Sequence, residues 1–277
     1  MQYVLSDKEF ELFRGLIYKT SGISLALSKK ELVKARLSKR LTKTGIGSFG
    51  QYYKFVTKHD KNGEELVHLL DSISTNKTDF FREGKHFDFL NTKLLPDLIQ
   101  KKEKVKNKTI RVWCAASSSG EEPYTLAITI LNHINPNDGW NIKILATDIS
   151  TKILQRAIRG IYTIDSLKGI SPAIVSAHFK RVVIDKLNCF QAKDHLKKII
   201  TFRRFNLMTP NFPFRNPFDF IFCRNVMIYF DTETQYKLIL KFYNCLPKDG
   251  YLFIGHSETL AKRTSGFKYT QPAVYQK

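Results

Sequence analysis

An α/β fold, a small N-terminal all-α domain followed by a mostly parallel, doubly covered sheet with an inserted antiparallel β subdomain, is predicted by three features of the 277-residue sequence. From Thr109 onward, short apolar runs alternate with helical segments. A turn of small residues, Ala115-Ala-Ser-Ser-Ser-Gly120, joins the first run to a helical pattern. Before Thr109, apolar residues recur at helical spacing between helix-boundary residues.

Ser6-Asp-Lys-Glu9 reads as a capping box, after which Phe10, Phe13, Leu16 and Ile17 form one apolar helical face and Gly22 ends the helix. Ser28-Lys-Lys-Glu31 reads as a second capping box, leading a helix through about Lys43 with Gly45 as its stop. Leu32, Leu37 and Leu41 give that helix its apolar side. Lys29, Arg36, Arg40 and Lys43 share another face, either a solvated surface or a docking surface for an acidic substrate. Two further helices, Phe49 to Thr57 and Glu64 to Ser74, complete a helical domain over residues 1–72, followed by a linker and connecting helix over 73–108 and an α/β domain over 109–277. In the linker, Thr75-Asn-Lys-Thr-Asp-Phe-Phe-Arg-Glu83 reads as a helix start capped by Asn76 or Thr78 with Phe80 and Phe81 in the core, or as a site element with Arg82 clamping a carboxylate. His86 to Gln100 is a helix, and Lys101 to Lys108 a solvated basic connector.

Thr109 to Cys114 is the first strand, and Leu126, Ile130 and Ile134 mark the helix that begins at Glu121. The small residues between them let a ligand approach amides at the helix start, although no GxGxxG pattern is present. Asn141 to Asp148 is the second strand, ending in an acid at the place where dinucleotide folds hold ribose hydroxyls. Ile199 to Phe205 leads into Asn206-Leu207, and Phe218 to Cys223 leads into Arg224-Asn225. Asp249 to Gly255 is the fifth strand, and Phe267 to Tyr275 closes the sheet as an antiparallel hairpin. Between Ile158 and Ile199 the rhythm breaks. A helix over Ser171 to Phe179 and strands over Lys180 to Asp185 and Asn188 to Ala192 mark the insertion, centred on about 180–197.

The formal charge of +20 implies acidic partners without choosing among nucleic acid, anionic membrane and acidic protein. No apolar run is long enough to span a bilayer, and Met1 to Asp7 lacks a signal peptide's pattern, so a cytoplasmic enzyme is expected. Cys114, Cys189, Cys223 and Cys245 form no CxxC pair. Neither a disulfide framework nor a metal site is expected.

Thr75 to Glu83, Ser118-Ser-Gly-Glu-Glu-Pro-Tyr124, Phe222-Cys-Arg-Asn-Val-Met-Ile-Tyr-Phe-Asp231 and Gly255-His-Ser-Glu258, in this order, resemble the chemotaxis receptor methyltransferases of the CheR family over nearly the whole chain. The resemblance implies a Rossmann-like S-adenosylmethionine-dependent domain, producing S-adenosylhomocysteine and glutamate methyl esters on the cytoplasmic helices of chemoreceptors. It places cofactor contacts on Asn76, Thr78, Arg82, Glu122, Asp148, Asn206, Leu207, Arg224 and Asn225. Arg82 pairs with the cofactor's carboxylate in this reading, Asp148 binds its ribose, and Glu122 faces its amino group or sulfur side, unless Glu122 instead closes a capping box on Ser119. Arg224 and Tyr229 are the expected orienting groups for the acceptor carboxylate, with Tyr229 as a packed aromatic the alternative. Enteric members dock a receptor pentapeptide on a glycine-rich loop of the inserted ribbon. Val182 to Leu196 contains no glycine, so recognition is expected through the basic N-terminal helix by a monomeric enzyme.

A nucleic-acid methyltransferase is the rival reading. It lacks the Asp/Asn-Pro-Pro-Tyr/Phe element of amino-directed DNA enzymes after the fourth strand, and none of the four cysteines has the Pro-Cys type context of a cytosine-C5 nucleophile. A silent cofactor-binding sensor is disfavoured by the joint presence of Arg82, Asp148, Arg224 and Tyr229.

Overall fold

The computed structural model describes residues 3–260 and 266–277; Met1 and Gln2, within the stretch read for a leader, lie outside them. Four helices open the chain: α1 (Asp7–Ser21), α2 (Lys30–Thr44), α3 (Phe49–Lys54) and α4 (Glu64–Ile73). The Ser6–Glu9 capping box forms as expected, and Gly22 and Gly45 close α1 and α2 in the left-handed conformation. The box at Ser28 does not form. A 3₁₀ turn over Leu27–Lys29 occupies that place, and α2 starts with no side-chain cap. Val33, not Leu32, joins Leu37 and Leu41 in the core with Phe10, Phe13, Phe49 and Tyr52, while Leu32 is 41% exposed. The register is one residue away from the expected stripe because α2 packs on α4 through the face centred on Val33 and Leu37.

The Thr75–Glu83 segment is not a helix start. Residues 74–79 are irregular, and the helical path begins at α5 (Lys85–Phe89), passes through a wide turn at Leu90–Leu94 and ends with α6 (Leu95–Lys104). Asn76 and Thr78 therefore lie ahead of any helix start and cap no helix among the described residues, and the basic connector shrinks to residues 105–108. Phe80 is buried as expected, edge-on to Tyr162 and Phe179 at centroid distances of 4.8 and 5.6 Å.

The α/β domain contains β1 (Thr109–Ala115), α7 (Glu121–Leu131), β2 (Asn141–Asp148), α8 (Thr151–Arg159), β3 (Ile161–Thr163), α9 (Pro172–His178), β4 (Phe179–Ile184), β5 (Leu187–Ala192), α10 (Asp194–Lys198), β6 (Ile200–Arg204), β7 (Phe220–Cys223), α11 (Thr232–Cys245), β8 (Tyr251–Ile254), β9 (Lys268–Gln271) and β10 (Val274–Gln276). The main sheet runs β6-β2-β1-β7-β8-β10-β9. Its first five strands are parallel, and β10 and β9 form the expected antiparallel closure. Alternation explains why these strands read as continuous apolar runs: Val112, Cys114, Phe220, Phe222 and Phe253 enter one core cluster, whereas Trp113, Ala115, Ile221, Cys223, Leu252 and Ile254 enter the other. All four cysteines are buried and free. The insertion is a three-stranded sheet, β3-β5-β4, one strand more than its sequence announces.

Order reverses between β1 and β7, the switch point of the sheet, where carboxyl ends of strands open a crevice. The turn after β1 is strained there: Ala116, Ser118 and Gly120 have φ of 60°, 48° and 100°. A Cβ on Gly120 would also lie 2.8 Å from the Tyr162 hydroxyl and 3.0 Å from Ala157 Cβ. Gly120→Ala is accordingly expected to destabilise the protein by about 2–4 kcal/mol, from backbone strain and overpacking together. Denaturant unfolding checks this, and a loss below about 0.5 kcal/mol would mean that the turn relaxes freely.

Candidate functional site

A cavity of about 550 Å³ lies at the switch point, between the carboxyl ends of β1, β2, β6 and β7 and the helical domain. Its wall takes Ser24, Leu25, Lys29, Leu32 and Arg36 from the helical side. Asn76, Thr78, Arg82, Glu122, Asp148, Asn206, Leu207, Arg224, Asn225 and Tyr229, far apart in sequence, all line it. Of the four basic residues on α2 and its entry turn, Lys29 and Arg36 reach the cavity; Arg40 and Lys43 are not among its lining residues.

Asp148 ends β2 with its carboxylate accepting the Ser118 and Ser150 amides, each at 2.9 Å. One acid thus fixes the turns that follow both β1 and β2. Burial raises its pKa, against the pull of those amides. Ser118 Oγ donates to the Asn76 carbonyl at 2.9 Å, tying the linker to the same turn. Asn206 donates to the Thr20 carbonyl at 2.6 Å and accepts the Met208 amide at 2.9 Å, so it joins the strand end to α1.

Glu122 does not close a capping box. The Ser119 hydroxyl bonds Glu121 instead, at 2.6 Å, and Glu122 turns inward to Cys114 Sγ at 3.1 Å and Arg224 Nη1 at 3.0 Å. Arg224, whose side chain is 1% exposed, also meets Glu83 Oε2 at 3.0 Å and the Arg82 carbonyl at 2.6 Å, and lies over the rings of Phe87 and Phe222. Its guanidinium is already shared between two carboxylates and a carbonyl. An acceptor carboxylate expected to meet Arg224 would find a guanidinium already paired with Glu83 and Glu122, although Arg224 lines the cavity and its Nε has no partner among the described residues. Burial raises the Glu122 carboxyl despite Arg224. Burial also pushes Glu83 up, but Arg224, Asn225 and the His256 amide outweigh it and hold Glu83 below its ordinary value.

Arg82 donates to the Lys77 carbonyl at 3.1 Å and is half-buried in the cavity wall. Tyr229 sits in a 3₁₀ turn, Met227–Tyr229, where its carbonyl accepts the Ser24 amide at 2.8 Å. Arg36 donates to the Ile73 and Ser74 carbonyls and to Thr75 Oγ1, and Arg40 forms a two-pronged pair with Glu65 at 2.6 and 2.9 Å that the Tyr52 hydroxyl joins at 2.7 Å. These two arginines hold α2 on α4. Lys29 and Lys43 are exposed.

Sequence reasoning assigned no role to Glu83, His86 or Glu258. His86 is fully buried beside Glu83 and His256, and the three offer ligand-type atoms within 4.8 Å of one another. Arg224 neutralises the same Glu83 oxygen, which makes the trio part of the ion network. Burial, with the nearby Arg224 charge, drives the His86 pKa from its ordinary 6.5 to about 3. Folded His86 stays neutral while the unfolded chain takes up a proton below pH 6.5, so this contribution to stability is complete above pH 6.5 and lost as pH falls towards 3. Between pH 6.5 and 5 the wild type should lose about 2 kcal/mol more than His86→Phe does. Denaturation at several pH values checks this; parallel slopes would exclude His86 as the source.

Two family models match the chain in succession. Residues 8–74 match the family model for the CheR methyltransferase all-alpha domain, and residues 76–275 match that for the CheR methyltransferase SAM binding domain. The chain belongs to the CheR family. It is 45% identical over 274 residues to a chemotaxis protein methyltransferase of Borreliella burgdorferi, covering 99% of this chain and 95% of that one. Against the chemotaxis protein methyltransferase of Escherichia coli it is 36% identical over 272 residues, covering 98% and 91%. This CheR-family protein is therefore an S-adenosylmethionine-dependent methyltransferase. The cavity suits that cofactor: it has the volume of a small-molecule site, a strand-end acid, an arginine in its wall and a small-residue turn. Among the described residues, no helix is long and apolar enough to cross a membrane.

Proposed function

We propose that the protein methylates glutamate side chains on the cytoplasmic helices of chemoreceptors, acting as a monomer in the cytoplasm. The observation that carries this reading is the convergence of Asn76, Thr78, Arg82, Glu122, Asp148, Asn206, Leu207, Asn225 and Tyr229 on one cavity at the switch point. Bound S-adenosylmethionine supplies a sulfonium-activated methyl group. Arg82 pairs with the cofactor's carboxylate, Asp148 receives its ribose, and Asn206, Leu207 and Asn225 complete the wall. Glu122 contributes to the cavity wall, with Arg224 as the cation that positions it rather than as an acceptor-binding group.

The acceptor needs little activation. A glutamate with a pKa of about 4.3 is already ionised at neutral pH, so no general base is required and the protein's task is aiming and water exclusion. Tyr229 is the group that directs the acceptor oxygen. Tyr229→Phe should lower kcat about 3–10-fold while leaving S-adenosylhomocysteine affinity unchanged, a split read by steady-state kinetics and calorimetry. Equal loss of both would make Tyr229 a packing residue.

Recognition of the receptor falls to the exposed Lys29 and Lys43, because Arg36 and Arg40 are engaged within the helical domain. The inserted hairpin turns at Asp185-Lys186 without a glycine, and in this reading recognition is independent of pentapeptide tethering. Incubation with methyl-labelled S-adenosylmethionine, a receptor cytoplasmic fragment, RNA and DNA tests the whole reading. Alkali-labile label on the receptor is expected; stable label on nucleic acid alone would replace it.

A further inference from the structure

We infer that Glu258 is a positioning residue that sets the cofactor and acceptor loop after β7, an inference that rests on the proposed roles of Asn225 and Tyr229. Glu258 is 6% exposed. Its Oε2 accepts the amides of Asn225 at 3.0 Å and Gly255 at 2.5 Å, and its Oε1 accepts that of Ile228 at 3.2 Å. Three backbone amides satisfy this buried carboxylate. Such charge-assisted bonds are about twice as strong as neutral ones and fix geometry accordingly.

Each amide belongs to a place where the backbone needs a partner. Asn225 is held at φ 57°, a left-handed conformation costly for a residue with a side chain. Ile228 lies inside the 3₁₀ turn Met227–Tyr229, whose first amides have no partner within the turn. Glu258 therefore serves this turn as a cap supplied from 30 residues away in sequence. Gly255 closes the third side: a Cβ there would sit 2.5 Å from Asn225 Nδ2 and 2.9 Å from Glu258 Oε2. Glu83 completes the frame by accepting Asn225 Nδ2 at 3.1 Å. The frame points Asn225 and Tyr229 into the cavity from one loop. A glutamine at 258 keeps the shape but presents an N–H donor to one of the two amide groups, which breaks one lobe of the clamp.

Glu258→Gln should lower kcat for a receptor fragment about 10–100-fold at saturating cofactor, the loss expected for charge-assisted bonds. Ile134→Ala, a cavity in the core outside the site, serves as the control of matched melting temperature and should keep kcat within twofold of wild type. Gly255→Ala attacks the same clamp from the opposite side and should reproduce the kcat loss. If Glu258→Gln loses no more activity than the control, the inference is overturned; if it does not fold, wild-type kcat in Gly255→Ala overturns it. Should wild-type protein methylate no receptor, the function above fails, and the role of Glu258 is read from S-adenosylhomocysteine affinity. At least tenfold weaker binding in Glu258→Gln then supports it, and unchanged binding overturns it.

Discussion

Arg224→Met should destabilise the protein by about 3–5 kcal/mol and abolish measurable cofactor binding. The guanidinium is the cation shared by Glu83 and Glu122, 3.0 Å from each, in an environment where its side chain is 1% exposed. Methionine can fill the slot between Phe87 and Phe222 but leaves two carboxylates facing each other without a counter-charge. At neutral pH at least one of them must then take up a proton or draw in water. Either response moves Glu122 from the cavity wall and releases Glu83 from Asn225. Arg224→Lys is no remedy, because a single ammonium cannot span both acids and the Arg82 carbonyl as the planar fork does. The double variant Arg224→Met with Glu122→Gln should recover part of the lost stability without recovering activity, giving a coupling energy of 0.5–3 kcal/mol in a double-mutant cycle. A different result would revive the first expectation for this residue. Full stability and cofactor affinity with kcat alone lost would mean that Arg224 acts on the acceptor.

That contrast shows what the linear sequence carries. The strands β1, β7 and β8 were legible because both their faces are largely buried, so Val112, Trp113, Phe220 and Phe253 all had to be apolar, and β2 because exposed Asn141 and Lys143 alternate with buried Ile142 and Ile144. Strand β3 was not, since Ile161-Tyr-Thr163 is too short to show a period and is defined only by pairing with Cys189 to Gln191. The Ser28 box had the right residue types but lost to a 3₁₀ turn starting at Leu27, and no local pattern distinguishes the two. In the cavity wall, Arg82 and Asn225 were flagged by their motif segments and Asp148 by its place at a strand end. The employment of Arg224 was invisible: its partners Glu83 and Glu122 lie 141 and 102 positions away, and a charge reads the same in sequence whether it meets a ligand or two buried acids. Arg40 taught the same lesson on α2, where a basic stripe contains a residue paired with Glu65. The only sequence signal for Glu83 and Glu258 was their place inside the linker and Gly255-His-Ser-Glu258 segments.

Asp148→Asn is expected to separate affinity from stability. The carboxylate closes two turns through the Ser118 and Ser150 amides, so its removal costs one charge-assisted bond. Asparagine retains a single oxygen, and its amino group faces one of the two N–H donors. Burial pulls the other way. It raises the Asp148 pKa, which means that keeping the carboxylate charged at neutral pH costs the folded state energy that asparagine does not require. The two effects oppose each other in stability, leaving a change of about 1 kcal/mol or less. They do not oppose each other in binding, where a neutral amide is a poorer acceptor for ribose hydroxyls and the Ser118 turn is loosened against Asn76. S-adenosylhomocysteine affinity should therefore fall about 10–100-fold. The raised pKa adds a signature: wild-type affinity should begin to decline at a higher pH than an ordinary aspartate would give, whereas the asparagine variant should lack that titration. Calorimetry across pH, beside denaturant unfolding, tests both halves. Unchanged affinity together with a large loss of stability would reduce Asp148 to a turn-closing residue and shift ribose recognition elsewhere in the cavity.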